Sequence, residues 1–297
     1  MNFGKLFLLL TISSFISVKG YNQVYYYDKD VMWEFGASVG AMNCITDVGG
    51  ANSDTKYYIN EIRSNRFKLA GSIYASGLYQ NIIGGRIEAT VGTIEANDAD
   101  ITSTASLNLT TKKNRNLNFR SKIREITLLA EFHPLMLKTY DEGEPYFSPY
   151  VMAGVGYFSF NPQALLAGRL IDLQPLSLEG QGFAEYRDRS PYKKSQINIP
   201  LGIGVRYEVN QFVNVRLEFL HRILFTDYLD DASNKFYIKP DLFSKYLSPA
   251  DAANARALLN PSLNGEIPAR RGNPDNMDTY MSLSLKVGIV LGRGPRY

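Results

Sequence analysis

The stretch from Ile199 to Phe225, "IPLGIGVRYEVNQFVNVRLEFLHRILF", decides the fold. Nearly all its large apolar side chains sit at odd positions: Ile199, Leu201, Ile203, Val205 and Tyr207, then Val213, Val215, Leu217, Phe219, Ile223 and Phe225. The even positions carry Gly202, Gly204, Arg206, Glu208, Asn214, Arg216, Glu218 and Arg222. A period of two belongs to strands, whose successive side chains point to opposite faces, whereas a helix needs apolar spacings of three and four. The stretch therefore reads as two strands joined by a short turn, with one apolar and one polar face. A soluble sandwich and a membrane barrel would both satisfy that pattern.

The rest of the chain separates the two. The alternation recurs in "VMWEFGASVGAM", "FKLAGSIYASG", "IIGGRIEATVGTIE", "KIREITLLAEFH", "SPYVMAGVGYFSF" and "YMSLSLKVGIVLG", which makes eight strands with the opening pair. Each is about the 9–11 residues that a tilted strand needs to cross a bilayer, and an even count suits a closed antiparallel barrel. The links after strands two, four and six are "LYQN", Pro134 to Tyr146, and "VNQF". Those after strands one, three, five and seven are longer, covering about 43–66, 96–121, 161–195 and 226–278. All long loops thus emerge at one end, the asymmetry of outer-membrane barrels with short periplasmic turns and long extracellular loops. The expected fold is all-β, an eight-stranded antiparallel transmembrane barrel over residues 21–297.

On that reading the apolar face meets lipid and the other face fills a narrow lumen. There Glu34, Arg86, Glu88, Glu125, Glu131, Arg206, Glu208, Arg216, Glu218, Arg222 and Lys286 are expected to pair. Eight strands enclose only enough space for side chains, so these charges form a plug and disfavour a diffusion pore. Small residues such as Gly154, Gly156, Gly202 and Gly204 make room for the long ones, and neither "GVG" nor "GIG" opens a helix as a phosphate loop would. Aromatic girdles are expected at both rims: Tyr25 to Tyr27, Tyr146, Phe147, Tyr207 and Phe212 at one, and Tyr157, Phe158, Phe160, Phe225 and Tyr280 at the other.

The amino terminus, "MNFGKLFLLLTISSFISVKG", has a lysine, an apolar stretch from Leu6 to Val18 and then small residues, and reads as a cleaved signal peptide over residues 1–20. The single cysteine, Cys44, excludes an intramolecular disulfide, and no other apolar run is long enough for a membrane helix. Among 297 residues with a net charge of +3, aromatics are plentiful, with 20 Tyr and 16 Phe against one Trp. The expected location is the outer membrane.

Candidate chemistry is sparse. Of the two histidines, His221 lies on the lipid side near the external end and His133 at the periplasmic end of strand four. No serine or acid shares the outward face of His221's own strand, so a lipid-modifying His and Ser pair has only weak support. "FTDYLDDAS" places Asp227, Asp230 and Asp231 after strand seven, and "ITDVGG" adds Asp47; the spacing is not that of an EF-hand, and solvated or loop-capping roles are expected. "KKNRNLNFRSKIR" carries Lys112, Lys113, Arg115, Arg120, Lys122 and Arg124 without an acid. On an exported chain its counter-ions are phosphates of lipopolysaccharide rather than nucleic acid, or it is a solvated loop. "SPADAANARALL" has Ser248 as a helix cap with Pro249 behind it, which predicts a short helix serving as a docking surface or a lid. No catalytic residue, cofactor or metal site is assigned.

Several motifs carry a resemblance. "WEFGASVGAMNCITDVGG", "RNLNFRS", "SPYVMAGVGYFSFNPQA", "LSLEGQG", "IPLGIGVRY" and "FTDYLDDAS" together resemble the PorG-like outer-membrane barrels of Bacteroidota, of the type IX secretion system. "FNPQA" and "FTDYLDD" are the specific pieces, and residues 236–278 match nothing in that pattern. The resemblance implies a non-enzymatic part of a protein-secretion machine that associates with a periplasmic ring of a PorK-like lipoprotein and a PorN-like subunit. The turn from Pro134 to Glu144 is then the candidate ring contact. Two other readings stay open: a lipid A-modifying enzyme, and a free-standing structural or adhesin-type barrel.

Overall fold

A computed structural model describes residues 26–49, 66–101, 107–137, 145–234, 236–262, 265 and 270–295. The signal peptide, Tyr25, part of the Pro134–Tyr146 turn and the terminal Tyr297 lie outside the described residues. The strands are β1 (Tyr26–Ile45), β2 (Lys68–Tyr79), β3 (Ile83–Asn97), β4 (Asn118–Phe132), β5 (Phe147–Ser159), β6 (Pro162–Leu166), β7 (Arg169–Asp172), β8 (Ser195–Asn210), β9 (Val213–Leu224) and β10 (Thr279–Pro295). Among the described residues three α-helices lie outside the strands: α1 (Leu107–Arg115), α2 (Phe243–Tyr246) and α3 (Pro249–Leu259).

Eight of these strands close a ring. Each neighbouring pair is antiparallel in the order β1, β2, β3, β4, β5, β8, β9, β10, and β10 returns to β1 with Phe35 opposite Ile289. Closure leaves no unpaired edge, which a chain in hydrocarbon requires. The turns on the short side follow local chemistry. Gln80 and Asn81 both hold positive φ, 48° and 57°, with the Ile82 N–H bonded to the Tyr79 carbonyl at 3.0 Å, which gives a tight three-residue connection whose twist suits a hairpin. Between β8 and β9 the Asn210 side chain accepts from the backbone N–H groups of Phe212 and Val213 at 2.8 and 2.9 Å.

Outward positions of all eight strands form an apolar belt. Trp33, Leu69, Ile73, Ile87, Ile126, Val155, Ile203, Leu217 and Leu285 lie in it, with Leu69 as much as 77% exposed. An exposed contiguous apolar surface on this scale is not stable in water, whereas charged side chains fill the inside. The protein is an outer-membrane β-barrel, and no described helix is long and apolar enough to cross a membrane.

Two features depart from the sequence reading. Several strands run well beyond a bilayer crossing, 20 residues in β1, 17 in β10 and 15 in β3. Their outer ends continue out of the membrane, where Met42, Ile94, Phe119, Ile123, Phe158, Leu224 and Tyr280 point inward into an apolar core. The third long loop also contains a hairpin, β6 and β7, turned through Ala167 and Gly168 at positive φ and added to the outer end of β4 at Arg120 and Ser121.

Candidate functional site: a sealed lumen beneath an extracellular cap

The lumen is built by the even or odd parity of each strand, which aims every charge anticipated there at the barrel axis. Arg216 is bidentate to Glu34, at 2.8 Å from Nε and 2.7 Å from Nη2, and its Nη1 reaches Glu131 at 2.8 Å. Arg86 meets Glu131 at 2.6 Å, Glu218 at 2.7 Å and Glu88 at 3.4 Å. Lys286 bridges Glu88 and Glu218, and Arg222 donates through Nη2 and Nε to one oxygen of Glu125, Oε2, at 3.0 and 3.2 Å. Arg206 lies 3.3 Å from Glu208 at the periplasmic end.

The sequence reading missed one member: Arg293, in the "GRGPRY" tail, also pairs with Glu208. It brings the network to six carboxylates and six cations, so the plug is neutral. Arg293 stands seven residues after Lys286, so counting by twos sets it on the lipid side, and the register irregularity at the strand end brings it inside. Neutral donors complete the shells. Tyr74 donates to Glu34 at 2.5 Å, Asn214 to Glu34 at 2.8 Å, Ser72 to Glu88 at 2.6 Å, and Tyr150 to Glu218. The Arg216 guanidinium also lies against the Tyr74 and Tyr150 rings, 5.8 and 5.4 Å from their centroids. A side chain at Gly36 would collide with the Tyr74 ring and one at Gly204 with Tyr150, which bears out the glycines as space for long neighbours.

Both histidines can now be placed. His133 is buried in the plug, with Nδ1 2.9 Å from Ser148 Oγ, Nε2 3.5 Å from Glu131, and its ring stacked on Tyr150. The Ser, His and Glu succession has the order of a nucleophile and its base, but Ser148 and His133 are fully buried and Glu131 is committed to two arginines. It is a positioning chain inside the plug. His221 is half-buried on the outer wall, with Leu201 and Met281 in register on its two sides, so the strands bring it no serine or acid in register.

Above the lumen, the long loops pack into a cap with its own hydrophobic core. Phe158, Phe160 and Tyr280 belong to it rather than to an interfacial girdle: Phe158 stands 5.6 Å from both Phe160 and Tyr280, and Phe160 stacks on Tyr192. Their inward parity at strand ends that lie beyond the bilayer explains the correction. The girdles that remain are Phe147, Tyr207 and Phe212 on one rim and Tyr157 and Phe225 on the other, all exposed. Helix α3 forms as its sequence predicts, with the Ser248 hydroxyl accepting from the Asp251 N–H at 3.2 Å. It buries Ala252, Ala255, Leu258 and Leu259 in the cap core, so of the two expected roles it serves as a lid.

The aspartates after β9 are buried, not solvated, and their capping role extends across loops. Asp230 accepts from Val48 at 2.8 Å and from Ala232 at 2.9 Å, tying the fourth long loop to the first. Asp231 accepts from the Tyr192 hydroxyl at 2.7 Å and from Arg271 at 3.3 Å. The basic run divides: Arg115 is buried and bidentate to Asp98 at 2.7 and 3.0 Å, whereas Arg120, Lys122 and Arg124 stand on the outer wall of β4. Asp227 is buried with neither carboxylate oxygen hydrogen-bonded. Burial, then the charges of Asp47 and Asp230, pushes its carboxyl up to about 9; burial and Asp230 push Asp47 up to about 7, and burial raises Asp231 to about 7. Asp278 rises well above the usual carboxylate range for the same reason. Among the described residues no group of three or more His, Cys, Asp or Glu is arranged to hold a metal ion.

A family model described as "Domain of unknown function (DUF6089)" matches residues 23–239, and stops where the loop segment 236–278 that shares no motif begins. No curated protein matches the sequence. Among solved structures the chain is similar to the attachment invasion locus protein Ail of Yersinia pestis, at 8% identity and a TM-score of 0.40, covering 89% of this chain and 100% of that one. It is also similar to Neisserial surface protein A, at 10% identity and TM-score 0.37 with 89% and 98% covered. A third is OprG of Pseudomonas aeruginosa, at 11% identity and TM-score 0.33 with 89% and 97% covered. The barrel assignment rests on the strand pairing itself.

Proposed function

We propose, for a chain that belongs to the DUF6089 family and folds as an outer-membrane barrel, a non-enzymatic scaffold role in protein secretion of the type IX kind. The observation that carries the scaffold part is the double seal. A neutral plug of paired charges fills the lumen, and a packed cap covers its outer mouth, so the barrel offers neither a solute path nor an accessible reactive group. What remains for it to do is to anchor and position other chains in the membrane. The secretion part is supported by the motif resemblance to PorG-like barrels, most specifically "FNPQA" and "FTDYLDD". The structure gives those pieces physical roles: Pro162 and Gln163 start β6, and Asp230 and Asp231 pin the cap.

The partners of this reading are the PorK-like lipoprotein and PorN-like subunit of the periplasmic ring, met by the turn that begins at Pro134–Leu137. Leu137 is 62% exposed there, an apolar side chain at the periplasmic end. The test is purification of the tagged protein from native outer membranes in mild detergent, with co-purifying chains identified by mass spectrometry. Ring subunits at near-stoichiometric yield, lost on Leu137→Glu, are expected. A barrel that leaves the membrane alone, from cells that contain the rings, would overturn the secretion reading and leave a free-standing structural or adhesin-type barrel.

A further inference from the structure

Arg120, Lys122 and Arg124 project from one strand onto the outer wall of the barrel, at its extracellular end. All three are exposed, and among the described residues none makes an ion pair or a side-chain hydrogen bond. Alternate residues of a strand lie about 7 Å apart, so the three cations form a ladder roughly 13 Å long. The one acid in register with it, Glu95 opposite Arg120, is held by Lys68 at 2.5 Å. Unpaired cations on this wall are not accounted for by the fold, because the six lumen cations and Arg115 show how this chain pairs the charges it buries.

Directly below Arg124 the wall is hollow. Gly71 and Ala89 leave a depression of about 560 Å³ between the side chains of Ile73, Val91, Ile126 and Tyr157, with Arg124 at its edge. A hollow of this size is in the range of ligand sites, roughly 300–1,000 Å³. Tyr157, opposite Ile126, is exposed at the same height and marks the boundary between hydrocarbon and headgroup. An apolar hollow in the hydrocarbon with a cationic ladder in the headgroup layer above it matches one kind of molecule, a lipid whose head carries more than one phosphate.

We propose that the β2 to β5 wall binds a phosphorylated lipopolysaccharide of the outer leaflet. The ladder from Arg124 to Arg120 takes the phosphates, and one acyl chain lies in the hollow over Gly71 and Ala89. Arg120 and Arg124 offer planar guanidinium forks to phosphate oxygens, and Lys122 between them adds a point charge. This site depends on the barrel standing in the outer membrane and not on its part in secretion, so the two readings fail separately.

The test uses the full mature protein in nanodiscs of phosphatidylcholine containing bisphosphorylated lipid A, with bound lipid read by native mass spectrometry. The triple variant Arg120→Gln/Lys122→Gln/Arg124→Gln is expected to lower lipid A affinity on the order of 100-fold, at about a factor of five per surface cation. Ala89→Trp, which fills the hollow and leaves the ladder intact, is expected to weaken binding as well. Lys112→Gln/Lys113→Gln, at the end of α1, removes cap charge without touching the ladder and is expected to leave binding unchanged. All positions are exposed or half-buried, and the gel shift of folded barrel on heating confirms that each variant folds. Full retention of lipid A by the triple variant, equal binding of dephosphorylated lipid A, or displacement by inorganic phosphate alone would each overturn the proposal.

Discussion

Arg216→Met tests the plug where its wiring is densest. The substitution keeps the bulk of the side chain and removes three charge-assisted hydrogen bonds, two to Glu34 at 2.8 and 2.7 Å and one to Glu131 at 2.8 Å. At about 1.5–3 kcal/mol each, the gross loss is about 5–9 kcal/mol. Part is recovered, because Glu34 keeps Tyr74 and Asn214 as donors and Glu131 keeps Arg86 at 2.6 Å. The expected net cost is therefore about 3–5 kcal/mol, the range for a buried charge left without its partner. Glu34→Gln/Arg216→Met removes the stranded charge together with its cation and should be more stable than the sum of the single effects by about 1–3 kcal/mol. Stability is read by urea titration of the barrel in lipid vesicles, using fluorescence of the single tryptophan, Trp33, which faces lipid on β1. A cost below about 1 kcal/mol for Arg216→Met, or a double variant no better than additive, would refute the account of the lumen as a coupled charge plug.

The cap should loosen as pH rises. A carboxyl whose folded pKa is raised lends stability that is complete below its unfolded pKa and is lost as pH climbs through the folded value, about 7 for Asp47 and Asp231 and about 9 for Asp227. Opening should therefore increase by up to about tenfold per pH unit per titrating carboxyl. Cys44, buried beneath the cap, reports it through the rate of methanethiosulfonate labelling. Asp227→Asn should label more slowly than the wild type at pH 9 and similarly at pH 5, and a wild-type to variant ratio independent of pH would count against the buried acid cluster. In planar bilayers at high salt the wild-type barrel should show no unitary conductance, and reproducible open steps would contradict the double seal.

The alternation of Ile199 to Phe225 was enough to orient nearly every side chain in the membrane, because a strand in a closed barrel has only two sides and each residue takes one of them. The same parity named the lumen charges in advance, from Glu34 to Lys286. It did not name Arg293, which follows a register irregularity between β1 and β10, where counting by twos loses its meaning. It also failed at the outer rim. Phe158, Phe160 and Tyr280 carry interfacial residue types, and only the packing of four loops over the barrel mouth turns that level from headgroup into protein core.

The loop aspartates show the same division. Asp230 and Asp47 lie far apart in the chain, and nothing local announces that Asp230 caps Val48 from across the barrel mouth. Likewise "KKNRNLNFRSKIR" is one basic run in sequence, yet the structure buries Arg115 on Asp98 and sets Arg120, Lys122 and Arg124 facing outward. The sequence alone determined the barrel, its orientation and its plug, because burial against lipid or lumen is imposed by a period of two. Only the tertiary structure decided the cap, its buried acids and the outward ladder, because these depend on which loops meet, and loop contacts leave no period in the chain.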